Sequence, residues 1–320
     1  MVKTVENMLD TMVLNDKKYV EVKSYISNRL KTIYLKKKIN NGSFNDIYSF
    51  SLKKNDRTEN KFIIRISNEN SVGDSIISEL KGIKIQYELC LKSKHIGNVI
   101  DYGKIYNPTS NTLQEYSIHQ RYKQSLKDVL NSNPKYYSIN TVVQIIFNLI
   151  STIYIIHKNN IAHLDLKPDN ILVNTIEYKD GKIYKIDFVI IDFGAAKKFT
   201  DNTSKSLSAQ MASAQFSPPE LLQYKFGKKS DIWAIGVIIY LLFIGKNFFS
   251  ANAQDIFMNN NPIKLEQTIN NAVLSLLHTL KTQYTISDAL YTKLEKIFIG
   301  IFKINPEQRI TAKELYEIII

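Results

Sequence analysis

Cysteine is almost missing from this chain: Cys90 stands alone among 320 residues. A single thiol makes neither an internal disulfide nor a thiolate metal cluster, so oxidative stapling is excluded and a reducing compartment is expected. Glycine and proline are scarce as well, at 11 and 7, and no internal repeat or low-complexity linker is visible. The longest apolar run, Ile235 to Ile244 with Ile232-Trp233-Ala234 ahead of it, falls well short of the ~20 residues that a bilayer-crossing helix needs. The opening Met1-Val2-Lys3-Thr4-Val5-Glu6 lacks the apolar core of a secretory signal. These absences lead to the expectation of a soluble protein with no membrane span, cytoplasmic or otherwise intracellular.

What is present argues for a folded globule. Hydrophobic residues make up 44% and aromatics 11%, too many for a disordered chain. The length suits roughly two compact units by the ~150-residue prior. A net charge of +12 and a pI near 9.4 favour acidic partners, whether nucleic acid, anionic lipid or an acidic protein, without choosing among them. Lys31, Lys36, Lys37 and Lys38 are the densest basic cluster. They flank the first expected strand and lack the interleaved aromatics of a base-stacking platform, so a solubilising role is the simpler reading. Oligomeric state is not readable.

Three segments emerge along the chain. Residues 1–32 read as an N-terminal extension with helical periodicity at Met8, Met12, Tyr19, Val22 and Ile26. Residues 33–122 alternate strand-like runs (Ile33–Ile39, Ile47–Leu52, Phe62–Ile66, Val99–Tyr102) with one helical stretch near 75–93. Residues 123–320 are mainly helical, with patterns at Thr141–His157, Lys229–Ile244, Ala272–Lys281, Ile286–Phe302 and Thr311–Ile319. The fold class is therefore α+β, a small mainly β lobe followed by a larger mainly α lobe.

The chemistry concentrates in His163-Leu164-Asp165-Leu166-Lys167-Pro168-Asp169-Asn170 and in Asp192-Phe193-Gly194, which begins twenty-seven residues after Asp165. Between them, the apolar runs Ile171-Leu172-Val173 and Phe188-Val189-Ile190-Ile191 flank a polar stretch containing Asp180-Gly181, a hairpin signal. A hairpin returns the chain so that Asp165, Asn170 and Asp192 can gather around one metal. A sparse set of hard oxygen donors fits Mg²⁺ better than zinc or calcium. An Asp-rich loop that is merely solvated would have to produce two spaced motifs at once.

These two motifs resemble the catalytic loop and the metal-binding loop of the protein kinases. Other segments extend the likeness over about residues 33–320. Ile39-Asn40-Asn41-Gly42-Ser43-Phe44-Asn45-Asp46-Ile47 resembles the glycine-rich phosphate loop, with only the central Gly42 retained. Asn40 and Asn45 replace the outer glycines, and asparagine tolerates positive φ better than most residues. Phe62-Ile63-Ile64-Arg65-Ile66 aligns with the strand that carries the phosphate-clamping lysine. Arg65 stands at the lysine's position, and Ile63 at that of a small residue under the adenine; Arg for Lys is not a conservative exchange at a phosphate clamp. Glu79 and Glu88 both qualify as the clamp's partner, Glu79 being favoured because it opens the helix body. The adenine-contacting linker is expected near His119-Gln120-Arg121-Tyr122, with Gln120 and Tyr122 as contacts.

In the second lobe Ser217-Pro218-Pro219-Glu220 resembles the motif that closes the activation segment, Arg309 the arginine that pairs with its glutamate, and Asp231 the aspartate that holds the catalytic-loop backbone. The resemblance implies ATP and Mg²⁺ as cofactors, Asp165 orienting the substrate hydroxyl, Lys167 neutralising the transferring phosphoryl group, and Asn170 and Asp192 holding the metal. Lys167 and Ser213 match the serine/threonine branch, so a protein serine or threonine is the implied substrate. Leu164 replaces the arginine that docks a phosphorylated activation segment, which predicts an enzyme not switched that way. Two alternatives stay open. The departures at Asn40, Asn45, Ile63 and Arg65 suit a pseudokinase acting as a binding or scaffold module, and a small-molecule kinase shares the catalytic aspartate and asparagine. The eroded phosphate loop suits a divergent viral or bacterial-effector kinase, which would place it in a host cytoplasm.

Overall fold

A computed structural model describes residues 13–14, 17–41, 45–53, 61–67, 74–106, 113–132, 137–199, 205–206, 214–220, 225–249 and 261–320. The chain divides into two units, one made of Met1–Tyr122 with Asp192–Gly194 and the other of Lys123–Ile191 with Ala195–Ile320.

The first unit is a sheet with one long helix. Its main strands are β1 (Lys17–Ser24), β2 (Leu30–Asn41), β3 (Asn45–Ser51), β4 (Phe62–Ser67), β5 (Val99–Tyr106) and β6 (Leu113–Gln120), with the two-residue strand Val13–Leu14 pairing onto the start of β1, and helix α1 (Asp74–Cys90) lies between β4 and β5 in sequence. Hydrogen bonding runs in the order β1-β2-β3-β4-β6-β5, and β5 pairs again with β1. All of these pairings are antiparallel. The sheet thus closes on itself, removing the exposed edges that β1 and β5 would otherwise present. Val20, Val22, Ile33, Leu35, Ile64, Ile66, Ile105 and Ile118 fill its interior.

Strand β1 corrects the helical expectation for residues 1–32. Lys17-Lys18-Tyr19-Val20-Glu21-Val22-Lys23-Ser24 buries Val20, Val22 and Ser24 and turns Glu21 outward, the period-2 alternation of a half-buried strand. Tyr19, Val22 and Ile26 coincide with a helical spacing by chance, while Met8 and Met12 lie outside the described residues. A specific device admits this strand. At Gly103 on β5, a Cβ would stand 2.0 Å from the Lys23 carbonyl oxygen, so only glycine lets β1 approach here. Ser24 then donates to the buried carboxylate of Asp101 at 2.6 Å, and Lys31 binds its other oxygen at 2.7 Å.

At Asn40 and Asn45 the tolerance of asparagine for positive φ is not called on. Both residues are in extended pairing, Asn40 opposite Ile47 and Asn45 opposite Ser67, because the strands run further toward their connection than the hydrophobic pattern indicates. Gly42 lies outside the described residues.

In the second unit, α2 (Leu126–Ser132) leads to α3 (Ile139–Lys158), followed by short strand β7 (Ile161–Ala162), hairpin β8 (Ile171–Lys179) and β9 (Lys182–Ile190), and β10 (Lys197–Lys198). Helices α4 (Lys228–Ile244), α5 (Pro262–Gln283), α6 (Asp288–Ile301) and α7 (Ala312–Ile319) complete it. The hairpin is the one the sequence indicates, turning at Asp180-Gly181 with φ of 50° and 72°. Helix α3 is long and apolar enough to cross a membrane by length and composition. Its side chains Val142, Ile145, Ile146, Leu149, Ile150, Ile153 and Ile156 are nevertheless buried in this unit, the place of a core helix. Helix α4 is apolar on every side and is buried from Ser230 to Tyr240.

Candidate active site

The loop from His163 to Asn170 is held from behind by one carboxylate. Asp231, in the first turn of α4 and 1% exposed, accepts the Leu164 amide at Oδ1 (2.8 Å) and both the His163 amide (2.8 Å) and His157 Nε2 (2.9 Å) at Oδ2. These bonds hold Leu164 at φ 66°, a region in which a bulky residue is strained and persists only when its surroundings over-determine it. His163 is buried, and its Nε2 lies 3.0 Å from the Ile191 carbonyl. A carbonyl only accepts, so Nε2 carries the proton, and Nδ1 is then free to accept the Asp165 amide at 3.3 Å.

Asp165 stands at the centre of the resulting network. Lys167 Nζ donates to its Oδ2 at 2.8 Å, and Asn170 Nδ2 donates to the same oxygen at 2.9 Å and to the Asp165 carbonyl at 2.8 Å. Only an amide nitrogen can donate twice, so the network fixes the Asn170 side chain with its Oδ1 turned the other way. Asn170 ends the turn Pro168–Asn170, and its carbonyl accepts the Ile191 amide at 2.9 Å. The base of the hairpin is thereby tied to the catalytic loop within this unit. Asp192, which follows Ile191, has φ 65° and accepts the Gly194 amide at 3.4 Å. Phe193 is buried.

The remaining site residues belong to the first unit. Arg65 on β4 is paired with Ile47 on β3 and Ser117 on β6, and Ile63 with Ser49 and His119. Ile39 is exposed and Ile47 half-buried. Gln120 ends β6 opposite Phe62, and Tyr122 is the last residue before the second unit begins. Glu79 and Glu88 both lie on α1; Glu88 is exposed beside the Tyr102 phenol, and the Glu79 side chain is outside the described residues. His119, expected at the start of the linker, instead lies within β6, and its ring is buried 2.8 Å from Ser117 Oγ. Burial first, and the Arg65 charge second, push this imidazole down to about 3, so it is neutral next to the arginine at ordinary pH.

Two features position the segment after Asp192. Arg309 binds Glu220 bidentately at 2.8 Å through each terminal nitrogen, donates to the Lys229 and Lys303 carbonyls, and stacks 5.1 Å from the Trp233 ring. Every donor of this buried guanidinium end is thus directed at an acceptor, the condition under which a buried ion pair is tolerated. Ahead of it, β10 pairs with β7, and the Phe199 amide bonds the Asn160 carbonyl at 2.7 Å. Leu164 packs in an apolar cluster with Ala162, Phe199 and Phe226. Where the sequence lacks an arginine, the protein therefore has a hydrophobic contact. Ser213, Thr200, Thr203, Ser204 and Ser208 fall outside the described residues, and Ser206 pairs with Lys225.

Comparison with known proteins agrees with this arrangement. The family model described as protein kinase domain matches residues 33–318. Calcium-dependent protein kinase 4 of Plasmodium falciparum is 29% identical over 257 residues, covering 79% of this chain and 45% of that protein. Serine/threonine-protein kinase 33 of Bos taurus is 30% identical over 193 residues, covering 60% of this chain and 37% of that protein. A shorter match, 38% over 128 residues, relates the chain to calcium-dependent protein kinase 6 of Plasmodium berghei, of which it covers 8%. The matched region spans less than half the length of each of these relatives. With the family match running over nearly the whole chain, and the anchored catalytic loop and buried Glu220–Arg309 pair in place, the chain belongs to the eukaryotic-type protein kinase family.

Proposed function

We propose that this protein is an active kinase that transfers the γ-phosphate of ATP to serine or threonine hydroxyls of a protein substrate, with Mg²⁺. The observation that carries the proposal is the Asp165–Lys167–Asn170 network on its Asp231 anchor, because phosphoryl transfer depends on positioning and on charge stabilisation. Both side-chain bonds to Asp165 fall on Oδ2, which leaves Oδ1 to accept and orient a substrate hydroxyl. Lys167 pairs with that carboxylate and supplies positive charge for the phosphoryl oxygens. Asn170 Oδ1 in the second unit and the Asp192 carboxylate in the first are each a hard oxygen donor of the kind Mg²⁺ takes; the ion, when bound, would neutralise charge on the phosphates of ATP. Arg65 brings a permanent charge to the strand on which the family carries its phosphate clamp. Glu220 and Arg309 brace the Ser217–Glu220 segment, a support suited to a protein substrate rather than a small molecule.

The arginine at position 65 also favours a second reading, a pseudokinase with impaired nucleotide use. Incubating the chain and a generic basic protein with labelled ATP and Mg²⁺, followed by phosphoamino-acid analysis, separates the two. The proposal expects phosphoserine or phosphothreonine, and a change in rate of tenfold or more in Arg65→Lys. No transfer by the parent, with Arg65→Lys restoring none, would overturn it in favour of the binding module.

A further inference from the structure

Gly82 sits at the ninth position of the 17-residue helix α1 and is buried, where glycine is the poorest helix former after proline. Its surroundings explain the choice. A Cβ at this position would stand 2.4 Å from the Phe193 carbonyl oxygen, 2.7 Å from its carbon and 2.9 Å from the Gly194 Cα. All three are backbone atoms, so no side-chain rotation relieves the overlap. Within the first unit, then, the α1 backbone rests directly on the Phe193-Gly194 backbone. The residue before that contact, Asp192, is held in the left-handed region, and its carboxylate accepts the Gly194 amide.

We propose that Gly82 is a positioning residue for Asp192: its missing side chain lets α1 seat the Phe193-Gly194 backbone, and that seat sets the direction of the Asp192 carboxylate. Any side chain at position 82 drives the two backbones apart by roughly 1 Å to reach ordinary contact, and a shift of this size is enough to spoil a ligand's aim. The inference rests on the reading above that Asp192 serves the metal in phosphoryl transfer.

The test compares Gly82→Ala with Lys81→Ala, an exposed neighbour on the same helix. Three quantities are read: the Mg²⁺ concentration giving half-maximal transfer at saturating ATP, the melting temperature, and hydrogen exchange across Ile191–Ala195 without nucleotide. Gly82→Ala is expected to raise the Mg²⁺ requirement at least tenfold and to accelerate exchange in that segment, while Lys81→Ala changes neither. A higher melting temperature with parent-like Mg²⁺ dependence and exchange, the outcome of helix propensity alone, would overturn the proposal. A parent without transferase activity would defeat the functional reading only, because the exchange comparison still decides the role of Gly82. Should Gly82→Ala not fold, exchange in the parent around Gly82 must slow when Mg²⁺ is added to a non-hydrolysable ATP analogue, by the reciprocity of linkage; unchanged exchange there would contradict it.

Discussion

Asp231 shows what one side chain must do for this site. Its two oxygens collect two loop amides and an imidazole, and they secure Leu164 in a conformation that leucine avoids. Asp231→Asn keeps the shape but turns one acceptor into a donor facing an N–H group. The expected result is a loss of roughly 3 kcal/mol in unfolding free energy, the scale for one-sided damage to a buried charged network, together with a large fall in turnover; a denaturation curve and a steady-state rate measure both. Asp231 was legible from its place at the start of an apolar helix. Leu164 was legible only as a missing arginine, since the partners that give it an apolar role, Phe199 and Phe226, are far away in sequence and carry no pattern pointing back to it. The burial of His119 escaped for the same reason: burial on a strand face depends on strand neighbours that a linear pattern does not reveal.

At the level of elements, local chemistry was informative wherever it was self-contained. The β8–β9 hairpin announces itself by two β-branched runs around Asp180-Gly181, and α3 and α6 by periodicity supported by the serine caps Ser138 and Ser287. Helix α5 begins ten residues earlier than its apolar pattern indicates, because Asn261 and Pro262 start it while its first turns are polar. Strand β1 was misread because a short amphipathic stretch fits two periods, and the choice between them is made by β2 and β5, which it joins. This placement yields a prediction. Deleting residues 1–26 removes two core valines, each contributing about 1.5–3 kcal/mol by burial, and reopens the sheet, so the shortened chain should lose most of a typical domain's stability. Thermal unfolding that matches the parent's would show β1 to be dispensable.

At the level of the whole molecule, the family was readable because its chemistry is carried by short, spaced motifs, whereas the closure of the first unit's sheet by a strand N-terminal to the matched region was not. The two halves of the Arg309–Glu220 pair lie 89 residues apart, yet both stand in recognisable motifs, so even this long-range contact was legible. The net charge of +12 finds no use in the site described. The central claim, that this catalytic loop transfers phosphate, is tested most directly at Asp165. We would measure turnover and melting temperature of the parent and Asp165→Asn side by side. The account predicts a parent that transfers phosphate and a variant slowed by at least about 10²-fold, the low end for loss of a catalytic acid or base, with a melting temperature close to the parent's. A variant as fast as the parent would contradict it.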